Sequence, residues 1–186
     1  LLSDNTTDPN AFAAYDRMME RYSDWAAVHK APHAELAQTI RIAGLNNQKA
    51  ERIQDLLAFV KSEFGEYSAD ALDGMEFDEA FESFGHLKGV KHKTLAVVLT
   101  FDLGKDAFAV DTHVHRVCGR IGFVSEKATA VKTFQRMNEL VPDGLAYQFH
   151  IHLIRHGRRV CSARSPNCGE CYVSSLCRYG RSNTST

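Results

Sequence analysis

Four of the five cysteines in this chain, Cys161, Cys168, Cys171 and Cys177, fall within 17 residues in the pattern C-x6-C-x2-C-x5-C. The stretch that carries them holds too little apolar material to fold by burying a core, so something other than hydrophobic contact must order it. Thiolates are soft ligands, and four of them close a tetrahedral zinc site or hold an iron–sulfur cluster. Structural zinc sites more often pair two short C-x2-4-C knuckles. Only one is present, Cys168 to Cys171, which tilts the choice toward a cluster and leaves zinc as the alternative. With Cys118 standing apart, the arrangement suits metal ligation in a reducing compartment better than a disulfide framework, and an intracellular source is expected. Near the four cysteines lie Arg155, Arg158, Arg159, Arg164 and Arg178, which can hydrogen-bond to ligand sulfurs, contact phosphates or stay solvated.

Before the cysteines the apolar spacing is helical. Phe12, Tyr15, Met18, Met19 and Tyr22 form one stripe, and Ile53, Leu56, Leu57, Val60 and Phe64 form another. Further helices are expected at about residues 33–42, 92–103, 111–121, 127–140 and 144–156, with breaks at Gly44, Gly65, Gly89, Gly104, Pro142 to Gly144, and Gly157. No alternating strand pattern occurs, so the fold class is all-α. The 186 residues suffice for one or two domains, and no apolar run approaches the roughly 18 residues of a membrane span. The polar tail from Ser182 to Thr186 is expected to fray.

Charge divides along the chain. Residues 1–85 hold 7 Lys and Arg against 16 Asp and Glu, a net of −9, whereas residues 86–186 hold 15 against 7, a net of +8. A basic second half provides the footprint of a phosphate-binding surface, and the acidic run from Asp70 to Glu82 faces solvent. Within that half, Leu87 to Thr94 sets a glycine turn before an apolar helix, whose exposed N–H groups can hold a phosphate. Eighteen residues after Lys93 comes Val110-Asp111-Thr112-His113-Val114-His115-Arg116-Val117, in which Asp111 is either a functional carboxylate or a helix N-cap.

Taken together, these elements resemble the endonuclease III family of helix-hairpin-helix DNA glycosylases over nearly the whole chain. The family's LPGVGRKTA hairpin is similar to Leu87 to Leu95, its VDTHxxRV segment to Val110 to Val117, and its four-cysteine motif to Cys161, Cys168, Cys171 and Cys177. Ile42 to Leu45 and Lys49 to Ile53 resemble the loop and helix that carry the family's wedge leucine, here Leu45. The opening Leu1 to Asp8 resembles LLSxQxxD, whose gap-filling glutamine is Asn5 here. The resemblance implies a six-helix barrel domain at 1–105, with a helix-hairpin-helix at about 80–103, and an iron–sulfur cluster domain at 106–186 with its cluster loop at 161–177. A helix preceding Leu1 is expected to complete both domains.

By the same resemblance, Lys93 and Asp111 are catalytic, the cysteines hold a [4Fe-4S] cluster, and Asn5, Leu45, Gly89, Val90, Lys91 and His113 contact DNA; His113 alternatively is a hydrogen-bonded structural histidine. The implied enzyme is a monomer of the cytoplasm or nucleoid that flips oxidised pyrimidines from duplex DNA, excises them through a Schiff base on Lys93, and cleaves abasic sites by β-elimination. No membrane partner is expected. A relative restricted to mismatches or abasic sites, and a DNA-binding or redox-responsive cluster module, are the alternatives. The adenine-specific mismatch branch lacks a lysine at the position of Lys93, so it does not fit. Three departures stand out: Lys88 and Lys91 replace a proline and a glycine of the hairpin, Asn5 is shorter than glutamine, and Asp4 brings a carboxylate to a loop expected to face DNA. A positive φ at position 91 would strain a lysine by about 1 kcal/mol or more.

Overall fold

A computed structural model describes residues 1–183. Those residues form helices and turns and contain no strand, as an all-α fold requires. They divide into two compact units, Leu1–Val90 and the chain from Lys91 onward.

In the first unit, α1 (Asp8–Arg21) starts at Thr7, whose hydroxyl accepts from the Asn10 N–H, with Pro9 in the first turn where a missing N–H costs nothing. Its buried face runs through Ala14 and Met18, while Phe12 and Tyr15 of the expected stripe stand 69% and 43% exposed. A short helix missed by periodicity, α2 (Trp25–Lys30), begins where Asp24 accepts from the Ala27 N–H at 2.7 Å and stops before Pro32. Next come α3 (His33–Thr39), a 3-10 turn at Arg41–Ala43, and α4 (Asn46–Phe64), whose Ile53, Leu57 and Val60 are buried as the second stripe implies. Ala14, Met18, Val28, Leu36, Ile40, Ala50, Ile53 and Leu57 make the core. Lys49 of α4 lies among them at 1% exposure. The acidic run also contains helix: α5 (Phe77–Phe84) starts where Glu79 accepts from the Glu76 N–H at 3.0 Å. Its acidic side chains lie on the face opposite buried Ala80 and Phe84.

The second unit opens with α6 (His92–Val97), which continues as a π-helical turn at Val98–Asp102. Within this unit the His92 ring packs edge-on against Phe134 at 5.3 Å between centroids, and buried Leu95 and Leu99 enter the apolar interior. After α7 (Thr112–Ile121) and α8 (Ala130–Leu140), Asp106 accepts from the Gly144 and Ala146 N–H groups at the start of α9 (Ala146–Arg159).

The expected break at Gly157 does not occur, because α9 runs through it. A Cβ there would come within 3.1 Å of His113 Cβ and 3.2 Å of Arg116 Nη2 on α7, so this glycine serves a close helix–helix approach. Ser182 and Asn183, expected to fray, close the last turn of α10 (Arg178–Asn183) by donating to the Arg178 and Tyr179 carbonyls; residues 184–186 of the expected tail lie outside the described residues. Cys118 is fully buried in α7, and burial pushes its thiol up to about 12. Among the described residues no helix is long and apolar enough to cross a membrane.

Candidate active site and metal-binding loop

The hairpin turn closes by backbone bonds from the Leu87 N–H to Phe84 O and from the Val90 N–H to Leu87 O, both 3.1 Å. The Val90 amide is therefore used within the turn, and its side chain is buried. Gly89 supplies the positive φ of 91°, and a Cβ there would meet Arg52 Cδ at 2.9 Å. Lys91 has φ −125° and ψ 171°, an extended conformation without strain, and caps α6. Lys88, in place of the proline, pairs with Glu51 of α4 at 2.8 Å. Lys93 follows as the second residue of α6, half-buried.

Asp111 reaches the same unit by a different route. It ends the stretch 107–110, which is buried yet neither helix nor strand, so its backbone needs polar partners from elsewhere. The Asn138 side chain accepts from the Phe108 N–H at 2.8 Å and donates to Phe108 O at 3.4 Å. Thr100 donates to Ala107 O, and His150 Nδ1 donates to Ala109 O at 2.8 Å. Because a carbonyl only accepts, the proton of the neutral imidazole sits on Nδ1 and Nε2 carries the lone pair. Burial holds His150 below the usual histidine value, against the raising influence of the Ala109 carbonyl and the Asp111 carboxylate, and the Lys93 charge adds to the lowering. One buried imidazole thus feels both Lys93 and Asp111. Sequence reading missed His150, which no motif marks.

Asp111 is also the N-cap of α7, accepting from the Val114 N–H at 2.7 Å. Structural and chemical roles coexist and can be separated by substitution. Asp111→Ala is expected to lose about 1 kcal/mol of stability with the cap, whereas Asp111→Asn, an equally good cap, stays close to wild type in urea denaturation. His113, two residues on, accepts at Nδ1 from Arg116 Nη2 at 3.0 Å; Arg116 also donates to Gly157 O and Cys161 O at 2.9 and 3.2 Å. His113 is accordingly fixed toward the chain that leads into the cysteine loop.

The four cysteines line one cavity, partly open to solvent, shared with Arg120, His156 and Tyr179. N–H donors face sulfur: Arg120 Nη1 to Cys161 Sγ and the Gly180 N–H to Cys177 Sγ, both 3.3 Å, and His156 Nε2 lies 3.7 Å from Cys171 Sγ. Arg120 also donates to Ser162 O and Ala163 O at 2.6 and 2.8 Å and lies over the Tyr179 ring. Burial first, and then the neighbouring Cys161, Cys171 and Cys177 charges, push the Cys168 thiol above its usual range. Four sulfurs lining one cavity, with N–H donors behind them, fit a cationic metal group. Among the described residues no group of three or more His, Cys, Asp or Glu side chains is arranged to hold a single metal ion. Of the five arginines expected near the cysteines, Arg178 instead ties the loop to the Gly119 and Val124 carbonyls, and Arg155, Arg158, Arg159 and Arg164 are exposed. The sulfur contact belongs to Arg120, which sequence spacing did not single out.

In the first unit, Asn5 and Leu45 are the non-glycine residues with positive φ among those described, at 52° and 48°. Each costs about 1 kcal/mol or more relative to a right-handed conformation, so surrounding contacts must impose it. Leu45 is 48% exposed and Asn5 is exposed, so both side chains are presented at the surface.

Residues 1–143 match the HhH-GPD superfamily base excision DNA repair proteins. Endonuclease III of Thermotoga maritima is 32% identical over 181 residues, which cover 97% of this chain and 80% of that protein. A solved endonuclease III–DNA trapped covalent intermediate is similar at 32% identity and a TM-score of 0.82, covering 98% of this chain and 82% of that one. A thermostable thymine-DNA glycosylase is similar at 28% identity and a TM-score of 0.81, covering 97% of this chain and 81% of that one.

Proposed function

We propose a bifunctional chemistry on the premise that this chain belongs to the HhH-GPD superfamily of base excision DNA repair proteins and is a DNA glycosylase of the endonuclease III type. Its substrate is duplex DNA carrying an oxidised pyrimidine or an abasic site. What carries the reading is that an amine on the first turn of α6, Lys93, and a carboxylate at the cap of α7, Asp111, lie in one compact unit, where the charge of each bears on buried His150.

A stacked base is out of reach of any side chain, so the nucleotide is flipped out at a cost of a few kcal/mol, least where pairing is already poor. Asn5 and Leu45 occupy the gap. The neutral Lys93 amine attacks C1′ of the sugar, the glycosidic bond breaks, and the base leaves with the bonding pair and a proton. Asp111 accepts the amine proton or stabilises the positive charge on the sugar. Ring opening gives a protonated Schiff base. Loss of a C2′ proton then expels the 3′ phosphate, and water releases Lys93.

Cys161, Cys168, Cys171 and Cys177 would hold a [4Fe-4S] cluster, with zinc as the alternative. When bound, such a group supplies a cross-link that orders the loop. The shared cavity and the Arg120 and Gly180 donors to sulfur support it. The enzyme acts inside the cell, where thiolates remain available for ligation.

Borohydride trapping tests the reading. Wild-type protein on a duplex with an abasic site or an oxidised pyrimidine is expected to give a covalent adduct of one chain per strand, and the lesion that traps best defines the substrate. If folded, metal-loaded protein gives no adduct on any lesion, the lyase assignment fails in favour of a DNA-binding or redox-responsive module. A T·G mismatch belongs in the panel, because likeness to the thymine-DNA glycosylase and the short Asn5 favour a mismatch-restricted relative as the second reading.

A further inference from the structure

Lys49 is among the largest fully enclosed side chains of the described residues, 1% exposed within α4. Its Nζ donates to two carbonyl oxygens from separate parts of the chain, Leu2 O and Ala43 O, each at 2.8 Å. Its backbone N–H donates to Leu45 O at 2.9 Å. Leu2 belongs to the opening turn in which the Asp4 N–H bonds to Leu1 O at 3.3 Å and which leads into Asn5. Ala43 ends the 3-10 turn that leads through Gly44 into Leu45. One ammonium is therefore bonded to both loops that present the left-handed residues Asn5 and Leu45.

A buried ammonium is a costly way to fill space, because its lost hydration must be offset by the hydrogen bonds it makes. What the charge adds is direction: donors held at fixed angles to two carbonyls of different loops. Burial pushes Lys49 below the ordinary lysine range, with Asp4 opposing and Arg52 adding to the lowering. Asp4, out of place as a DNA contact, thus stands as a countercharge to this lysine.

We propose that Lys49 is a positioning residue that fixes the opening turn and the Leu45 loop to each other, so that Asn5 and Leu45 enter a duplex as one rigid wedge. The clamp itself rests on geometry; its use on DNA rests on the roles given above to Asn5 and Leu45. The two parts are tested separately with the full chain as wild type, Lys49→Met and Lys49→Arg.

Amide hydrogen exchange reads the clamp without DNA. Lys49→Met is expected to speed exchange about tenfold in both residues 2–5 and 43–46 while amides in the middle of α1 and α4 keep their protection, with a modest fall in melting temperature because two carbonyls lose their donor. Faster exchange in neither loop, or in only one, overturns the clamp. The DNA role is read from 2-aminopurine placed opposite a non-cleavable abasic analogue. There Lys49→Met should give a smaller fluorescence change at saturating protein, and single-turnover excision of a paired lesion should fall about tenfold more than cleavage of a preformed abasic site. Lys49→Arg, which keeps the donors, should recover part of both effects. If both loops loosen while fluorescence and the excision ratio stay at wild-type values, the wedge role is wrong. If wild type itself produces no response on damaged duplex, the glycosylase–lyase reading fails and the exchange data alone decide the clamp.

Discussion

Lys93→Gln is expected to abolish the borohydride-trapped adduct and to lower base excision by about a thousandfold or more, while leaving the protein folded and able to bind lesion duplex. Glutamine has similar reach, but its amide nitrogen offers no nucleophilic lone pair, so neither a Schiff base nor β-elimination can follow. Lys93 sits on the first turn of α6, half-buried, where an uncharged polar substitute is accommodated. Asp111→Asn, which keeps the α7 cap, is expected to lose about a hundredfold to ten-thousandfold in excision, the range ordinary for a positioned proton acceptor. The pattern discriminates between mechanisms. Lys93→Gln protein that still releases the base but no longer traps would place water at C1′ and reduce Lys93 to the lyase step. Trapping retained by Lys93→Gln would move the nucleophile to another amine and overturn the assignment.

Removing the proposed metal should have an equally large effect on a different property. In the segment 161–177 the only buried residue is Cys177, so apolar contact cannot hold the loop. Its polar ties include Arg120 to Ser162 and Ala163, Arg116 to Cys161, and the Cys161 and Asn167 N–H groups to His156 O and Val160 O, while Arg178 just beyond it donates to the Gly119 and Val124 carbonyls. Chelation, or Cys168→Ala, is expected to remove the brown absorbance of an iron–sulfur cluster, expose the segment to protease, and destabilise the second unit by several kcal/mol, because metal-binding energy at such sites is folding energy. Limited proteolysis and urea denaturation of loaded and stripped protein check this. A colourless protein with one zinc per chain would replace the cluster with the alternative metal. A stripped loop that resists protease would show that these polar ties suffice.

How much of this was legible beforehand depends on whether a residue's role follows from spacing or from its surroundings. The cysteines and the interval from Lys93 to Asp111 are chemical types at fixed intervals, and they stand out in one dimension. So does the break between α8 and α9, because proline and glycine act locally. Lys49 does not, since a lysine on an amphipathic helix ordinarily reads as solvated, and its burial depends on two distant carbonyls. Arg120 and His150 are similar: each occupies an ordinary helical position, and only the fold brings Cys161 Sγ to one and Ala109 O to the other. Gly157 misled for a related reason. Glycine breaks helices by default, but here the neighbouring α7 requires the missing Cβ. The short α2 was invisible because six residues are too few to display a period.

The remaining cysteine has a practical consequence. Cys118 is enclosed in α7 with its thiol pushed up to about 12, so in the folded protein it offers alkylating reagents neither access nor a thiolate. It will not compete for iron during reconstitution, nor form a mixed disulfide with a ligand cysteine. Thiol counts on native protein therefore contain no background from the fifth cysteine. Modification should rise from none to four groups per chain as metal is withdrawn, and the fifth should react only on global unfolding, which makes the chain its own gauge of loading and of integrity in a single titration.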